Sequence, residues 1–429
     1  MFSHLKNLYT LDFSHNSLSV RNTSMVTLPP KLHHLGLASC NMKEFPRFSA
    51  DAKFIEHIDL SKKELHGEIP HGIGSMSWDL YSYLNLSRNR LTGGLEHINW
   101  NDIWYLDIQS NLLNGSLPNL FCNSSSLKIL NLSYNNLSGV LPIYQTNLTR
   151  LLVFDLRMNN IQGNIPPTFS NFRNLKSINL YGNKLEGRVP TSFSELEQLE
   201  TLDLGSNQLH DTFPQCLESL PNIRVLVLKS NNFHGLINQS SKIEHPFPNL
   251  RIIDLSNNRF SGPLPEIYIE NFKAMMMVDK NKQKATYMGL DLGSTGLYSD
   301  STGLVINGVE IELVRILTGL TAIDVSKNNF EGKIPEYIGN LASLRYLNLS
   351  HNFLAGHIPS SIGKLSMLES LDLSSNVLEG EIPQQLTAML VTWGCVDFHC
   401  PETANVILKP KKKEKLKITS LMVLHGKLW

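Results

Sequence analysis

An asparagine returns about every 24 residues along almost the whole chain, inside the frame Leu-x-x-Leu-x-Leu-x-x-Asn-x-Leu-x-Gly-x-Ile-Pro. Leu127, Leu130, Leu132, Asn135, Leu137, Gly139, Leu141 and Pro142 spell it once. Leu175, Ile178, Leu180, Asn183, Leu185, Gly187, Val189 and Pro190 spell it again. The slot falls at 16, 40, 63, 89, 111, 135, 159, 183, 207, 231, 258, 328, 352 and 376, so the spacing opens widely only between 258 and 328. Units repeating at this interval cannot close a core singly and bury it by stacking. A stacked chain of 429 residues needs no division into globular domains, and it presents a long surface instead of a cleft.

Around the second and third frame leucines, side chains alternate inward and outward, which is the period of a short strand. Strands one repeat apart pair in parallel at about 4.8 Å. The expected fold is therefore an α/β repeat: a right-handed leucine-rich repeat solenoid with a concave parallel β-sheet. The Asn slot lies where the chain leaves the strand, and a short amide there can bond neighbouring main-chain groups. Cys40 takes the slot in the second repeat as a permitted substitute. Lys63 takes it in the third and cannot accept a hydrogen bond, which predicts a weaker turn.

Four residues past the slot stands a glycine, from Gly67 through Gly380, broken from the third repeat onward only by Asp211. A glycine at one fixed offset implies positive φ or close neighbour contact. Proline follows three residues later in most repeats and ends the extended segment. Gly-x-Ile-Pro in this place resembles the plant-specific extracellular class of leucine-rich repeats, the Leu-x-Gly-x-Ile-Pro type, over residues 8–386.

If the period held, a repeat would begin at 274; it begins instead at Leu320. The expected organisation is repeats 1–11 over residues 1–273, an island insertion over 274–319, and repeats 12–14 over 320–390. Residues 391–429 form a non-repeat basic tail expected to be disordered. The island holds Met275 to Met277, a charged stretch from Asp279 to Lys284, glycines from Gly289 to Gly303, and the alternating run Val305, Ile306, Val309, Ile311, Leu313. Inserts this long are usually functional or disordered.

The segments Glu270 to Met276 and Gly308 to Leu317 resemble the island of plant leucine-rich repeat receptor-like proteins, the kinase-less type that includes fungal-resistance members. The resemblance implies a ligand-recognition ectodomain at the outer face of the plasma membrane. It would bind a peptide, glycan or protein and signal in defence or development through a partner receptor kinase. Against that family the chain is expected to be truncated at both ends, lacking a signal peptide and a transmembrane helix; the membrane enters only through a missing C-terminal helix. Two alternatives stand beside this reading. One is a secreted inhibitor of a cell-wall-degrading enzyme, and the other a non-functional gene fragment.

Thirty-eight basic residues balance 38 acidic ones, so nothing argues for nucleic acid. Five scattered cysteines make no disulfide framework. No kinase glycine loop, nucleophile elbow or zinc motif appears, and neither enzymatic activity nor a cofactor nor a metal is expected. Cys395, His399 and Cys400 form only a lone Cys-x4-Cys corner, and Lys409 to Lys417 reads as a solvated run. The outward strand positions carry Asp12, Asp59, Asn85, Asp107, Asn131, Asp155, Asn179, Asp203, Asp254, Asp324, Asn348 and Asp372. This row reads as a solvated part of the frame, not as acid–base machinery.

Nine Asn-x-Ser/Thr sequons, at Asn22, Asn85, Asn114, Asn123, Asn131, Asn136, Asn147, Asn238 and Asn348, are glycosylation candidates in a secreted chain. Sugars on outward strand positions would obstruct the groove before and after repeats seven to eleven. The expected ligand site lies within that window, at Val153, Arg157, Tyr181, Val225, Val227, Lys229 and Ile252. Val225, Val227 and Ile252 read as an exposed apolar patch on the sheet face, with Arg157, Tyr181 and Lys229 as anchors.

Overall fold

A computed structural model of the chain describes residues 4–18, 28–41, 43–45, 54–62, 64–70, 82–96, 98, 100, 103–119, 124–142, 148–237, 241, 243–278, 286–291, 293, 297–306 and 309–386. The expectations for Lys63, Asn22, Asn123, Asn147, Asn238, the charged island stretch from Asp279, and the whole tail from 391 lie outside these residues. Contacts divide the chain into Met1–Leu199 and Glu200–Trp429. That boundary falls between two repeats instead of at the island. Repeats touch only their neighbours, whereas the island packs back onto the unit that carries it.

In the first unit, eight strands among the described residues pair in parallel in sequence order, from Thr10–Asp12 to Ser177–Asn179. The register advances by one repeat at each step, as in Ile129↔Val153↔Ser177. A register shift between Ser82 and Tyr83 sits where the Asn slots space unevenly. In the second unit, Thr201–Asp203, Val225–Val227 and Ile252–Asp254 are followed in the same parallel order by Ala322–Asp324, Tyr346–Asn348 and Ser370–Asp372. Ile252 thus pairs with Ala322 across the island, which leaves the ladder unbroken.

Frame leucines fill the interior of each unit: Leu130, Leu132, Leu180, Leu226 and Leu228 are fully buried. The Asn slot stitches the coils together. Asn159 Nδ2 reaches the carbonyls of Leu132, Leu156 and Arg157 at 3.0, 3.0 and 3.3 Å, and its Oδ1 accepts from Leu137 N at 3.0 Å. Cys40 retains one such bond, from Sγ to Phe13 O at 3.1 Å. The residue before the slot is left-handed with φ near +55° although it is rarely glycine: Met158, Ser206, Ser230 and Lys327 are examples. Such a conformation costs about 1–2 kcal/mol outside glycine. The four bonds of the neighbouring amide hold it. At the later glycine offset, Gly163 and Gly332 have φ of +77° and +79°.

One expectation is corrected. The outward Asp/Asn row is not generally solvated: Asp107, Asn131, Asp155, Asp203, Asp254 and Asp324 are all buried. Each uses Oδ1 to accept the backbone N–H two residues on, as Asp155 does from Arg157 N at 3.1 Å and Asp254 from Ser256 N at 3.0 Å. The short acid therefore turns the chain out of the strand. Where serine follows, its hydroxyl adds a second bond, 2.6 Å from Ser256 Oγ to Asp254 Oδ1.

Candidate functional site

The described part of the island is ordered around two antiparallel hairpins. Gly289–Asp291 pairs with Leu297–Ser299, and Thr302–Ile306 pairs with Val309–Leu313. Valine, isoleucine and leucine alternation suits the second pair to half-buried strands. The island's base is closed by a Tyr287↔Leu317 bridge and by Met288 N to Ile316 O at 2.7 Å. Its entry is anchored where Ser343 N and Oγ both donate to Met275 O, at 2.8 and 2.7 Å.

The island seats on the sheet of its own unit. Met288, Leu304, Leu313, Ile316 and Leu320 make one buried cluster with Val225, Val227, Ile252 and Ala322, and Ile311, Leu317 and Tyr346 pack at its edge. The sheet side of this contact is apolar because successive repeats place Val225, Ile252 and Ala322 in register. Removing these side chains from water drives the contact, at about 25 cal/mol per Å2 of apolar surface.

Polar bonds fix the hairpin's position. Lys229 Nζ, its side chain 4% exposed, lies 2.7 Å from Glu310 Oε1 and 3.1 Å from Gly303 O. Thr302 Oγ1 donates to Asp203 Oδ2 at 3.2 Å. Burial pushes the Asp203 carboxyl up to about 6, against hydrogen bonding from Gly205 and the Lys229 charge. Asp324 is pushed up to about 7 by burial and then by the neighbouring Asp254. Asp254 is raised by burial despite Lys229 and Ser256, and its Oδ2 has no hydrogen-bond partner among the described residues. Two buried carboxyls, Asp203 and Asp254, thus feel the Lys229 ammonium, and Asp324 lies on the strand beyond Asp254.

The expected exposure of this patch is corrected. Val225, Val227 and Ile252 are fully buried, not exposed, because the island covers them; Lys229 is spent on holding the hairpin. These four residues come together as expected, but as a seat. In the first unit Val153 is also buried. Arg157 pairs with Asp155 at 3.4 Å and lies 5.5 Å over the Tyr134 ring, and Tyr181, one repeat on, is half-buried. The island residues Met288, Leu304, Leu313 and Ile316 were missed as partners. Two apolar features carried the signal: Val227 at a frame position that is usually Asp or Asn, and an alternating apolar run in the insert.

Among the sequons, Asn114 and Asn136 are exposed, Asn85 and Asn348 are half-buried, and Asn131 is buried with Oδ1 accepting from Ser133 N and Oγ. Asn131 is therefore not an open acceptor in the folded chain. Among the described residues no helix is long and apolar enough to cross a membrane, and no group of three or more His, Cys, Asp or Glu side chains is placed to hold a metal.

A family model described as "Leucine rich repeat" matches residues 125–185, 189–233 and 318–378, and a second leucine-rich repeat model matches 249–269. Receptor-like protein 53 of Arabidopsis thaliana is 45% identical over 86 residues, covering 20% of this chain and 9% of that protein. Receptor-like protein 52 of the same plant is 42% identical over 84 residues, covering 20% and 10%. The match thus spans about a tenth of the length of these relatives. Among solved structures, the plant peptide hormone receptor RGFR1 in complex with RGF2 superimposes with a TM-score of 0.66 at 26% identity, over 90% of this chain and 62% of that one. A TDR receptor, with a TM-score of 0.65 at 22% identity over 89% and 62%, shares the fold. Repeat frame, parallel ladder and relatives agree: the chain is a leucine-rich repeat solenoid, similar over part of its length to plant receptor-like proteins.

Proposed function

We propose that this chain is the ligand-recognition region of a plant cell-surface receptor, displayed on the outer side of the plasma membrane, and that its ligand is a peptide or a protein. The observation that carries the reading is the island seated on the sheet face. An insertion fixed by an apolar cluster and by the Lys229–Glu310 pair leaves Glu312 and Arg315 exposed on it. Binding against a fixed surface avoids much of the ordering cost of binding against a loose one. Names among the relatives support the class of ligand, since the RGFR1 structure holds a peptide hormone. In this reading Val225, Val227, Ile252 and Lys229 serve recognition by holding the island; Arg157 and Tyr181 are proposed as contacts on the first unit by itself. Signalling in defence or development then runs through a partner receptor kinase.

The test grafts residues 4–386 between the leader and membrane segment of a related receptor-like protein and expresses the graft in leaf tissue. Fractionated apoplastic and microbial extracts are applied and the oxidative burst is recorded. At least one fraction should elicit a burst that is lost after protease treatment of that fraction and reduced by Glu312→Ala with Arg315→Ala. Should no fraction act on a graft that reaches the surface, or should activity survive the protease, the reading fails.

A further inference from the structure

In the first unit the sheet face turns aromatic over its first five strands. The outward position that opens each strand runs Thr10, His34, His57, Tyr83 and Tyr105 in register. Rungs about 4.8 Å apart let rings at one position stack. His57 lies 4.0 Å from Tyr83 and Tyr83 4.1 Å from Tyr105, centre to centre, with planes 5° and 12° apart. A second line of rings follows the edge of the same strands. Tyr9 stacks on His33 at 4.1 Å, and Phe54 lies 5.9 Å beyond His33. Trp104 stands edge-on to Tyr105 at 5.8 Å, with Lys128 Nζ 5.6 Å over its ring. Tyr83 and Tyr105 are buried within the array, whereas Tyr9 is 52% and Phe54 47% exposed and Trp104 is half-buried. Stacking holds these rings in place, so a ligand lying on them meets a surface that is already ordered.

Beside the rings runs the short-acid row of the frame, and in these coils it is open. Asp107 and Asp155 are buried, but Asp12 is exposed and Asp59 and Asn85 are half-buried. Gly36 stands where the row would carry an acid or an amide, and the Asp12 carboxylate leans into the space that a Cβ would fill. The turn uses one oxygen of each acid: Ser14 N donates to Asp12 Oδ1 at 2.8 Å and Ser61 N to Asp59 Oδ1 at 2.9 Å. Asn85 Nδ2 reaches Asp59 Oδ2 only at 3.5 Å. A carboxylate accepts and cannot donate, so the second oxygens call for donors on whatever lies against the rings. A polyproline segment, a common guest of aromatic grooves, has no N–H to give. An anionic ligand would face Asp12, Asp59 and the Glu56 carboxylate beside His33. A neutral sugar chain meets both demands. Equatorial hydroxyls leave its ring faces as C–H surface and place O–H donors along its rim.

We propose that the aromatic platform of Tyr9, Phe54 and Trp104, with the acceptors Asp12 and Asp59 beside it, binds a neutral oligosaccharide with β linkages and equatorial hydroxyls, laid across the first five strands. The sugar faces stack on the uncovered rings, and rim hydroxyls donate to the second oxygens of the two carboxylates. Buried Tyr83 and Tyr105 take no part in contact; they hold the stack on which the platform rests. The site is built from the first unit by itself and does not rest on the receptor reading.

Saturation-transfer NMR on the full chain, secreted behind an added leader, tests this with three probes: cellohexaose, a galacturonate hexamer and a proline decapeptide. Transfer should reach the C–H protons of cellohexaose and neither of the other two. Tyr9→Ala with Phe54→Ala removes two exposed rings and should weaken cellohexaose binding at least about fivefold. Asp59→Asn keeps an oxygen for Ser61 N but replaces the second acceptor with a donor, and should weaken binding at least about threefold. Urea midpoints equal to that of the native chain show that neither loss is unfolding. The native chain decides the matter even without the variants. No transfer to cellohexaose would overturn the proposal, and so would transfer to the galacturonate hexamer as strong as to cellohexaose. Transfer to the proline peptide alone would assign the platform to a peptide and overturn it equally. Unchanged affinity in both folded variants would place the sugar away from the platform, which also overturns it.

Discussion

Asn328 Nδ2 donates to Leu255 O at 2.9 Å across 73 residues of sequence, the same bond that Asn258 makes to Leu228 O and Asn352 to Val325 O. The island therefore leaves and re-enters the solenoid without altering the chemistry by which one coil grips the next. An insertion is tolerated at this point because its ends return to adjacent rungs.

Replacing Asn328 with alanine is expected to lower the stability of the second unit by roughly 3 kcal/mol. Three carbonyls and the Phe260 N–H lose a buried partner, and each such loss costs about 1–3 kcal/mol before relaxation. Among the described residues, Asn16→Ala in the exposed first coil removes bonds to Phe13 O and Ser14 O, and it should cost less than about 1 kcal/mol. Urea midpoints of the two variants decide it; equal shifts would refute the ladder as the source of cohesion.

Two left-handed positions on consecutive turns predict opposite signs. Lys327, at φ +53°, pays for its Cβ, so Lys327→Gly should stabilise by up to about 1 kcal/mol. Gly332, at φ +79°, has open space where a Cβ would stand, so Gly332→Ala should destabilise by about 1 kcal/mol through the backbone alone. Thermal midpoints of the pair test this, and a stabilising Gly332→Ala would show that the strain is absent.

Periodic features of this chain were legible because each is local chemistry repeated. Leu132 and Leu180 read as interior, Asn135 as a turn amide, and Gly163 as a positive-φ position, all from spacing. The strained residue before the slot was not legible, since serine, lysine, methionine and histidine occupy it without a pattern. The seat was missed for a different reason. Lys229 meets Glu310 across 81 residues and Thr302 meets Asp203 across 99, with no period relating them. A valine at a frame position usually polar was read as an open surface because the segment that covers it lies outside the repeat.

Sugar attachment in a secreted form should follow exposure. Asn114→Gln and Asn136→Gln are each expected to remove one glycan from the intact mass, whereas Asn131→Gln removes none, its amide being buried in the turn. Mass spectrometry of the secreted solenoid reads this directly. A glycan on Asn131 in the folded protein would contradict its placement.

Removing the ammonium of Lys229 should make stability more sensitive to pH. Lys229 holds the Asp203 and Asp254 carboxyls lower than burial alone would leave them. In Lys229→Met both rise further, while half-exposed Glu310 is free to turn to water. The sign follows from proton binding. A carboxyl raised above its unfolded value binds a proton in the folded state that the unfolded chain has already lost, so its stabilisation is full below about 4 and is lost as pH rises. For the native chain that loss runs to about 6 for Asp203 and about 7 for Asp324. In the variant the decline continues to higher pH, so the midpoint gap between Lys229→Met and the native chain is small at pH 5 and wide at pH 7.5. Urea midpoints at the two pH values give the gap, and a constant or narrowing gap would show that Lys229 does not balance these carboxyls.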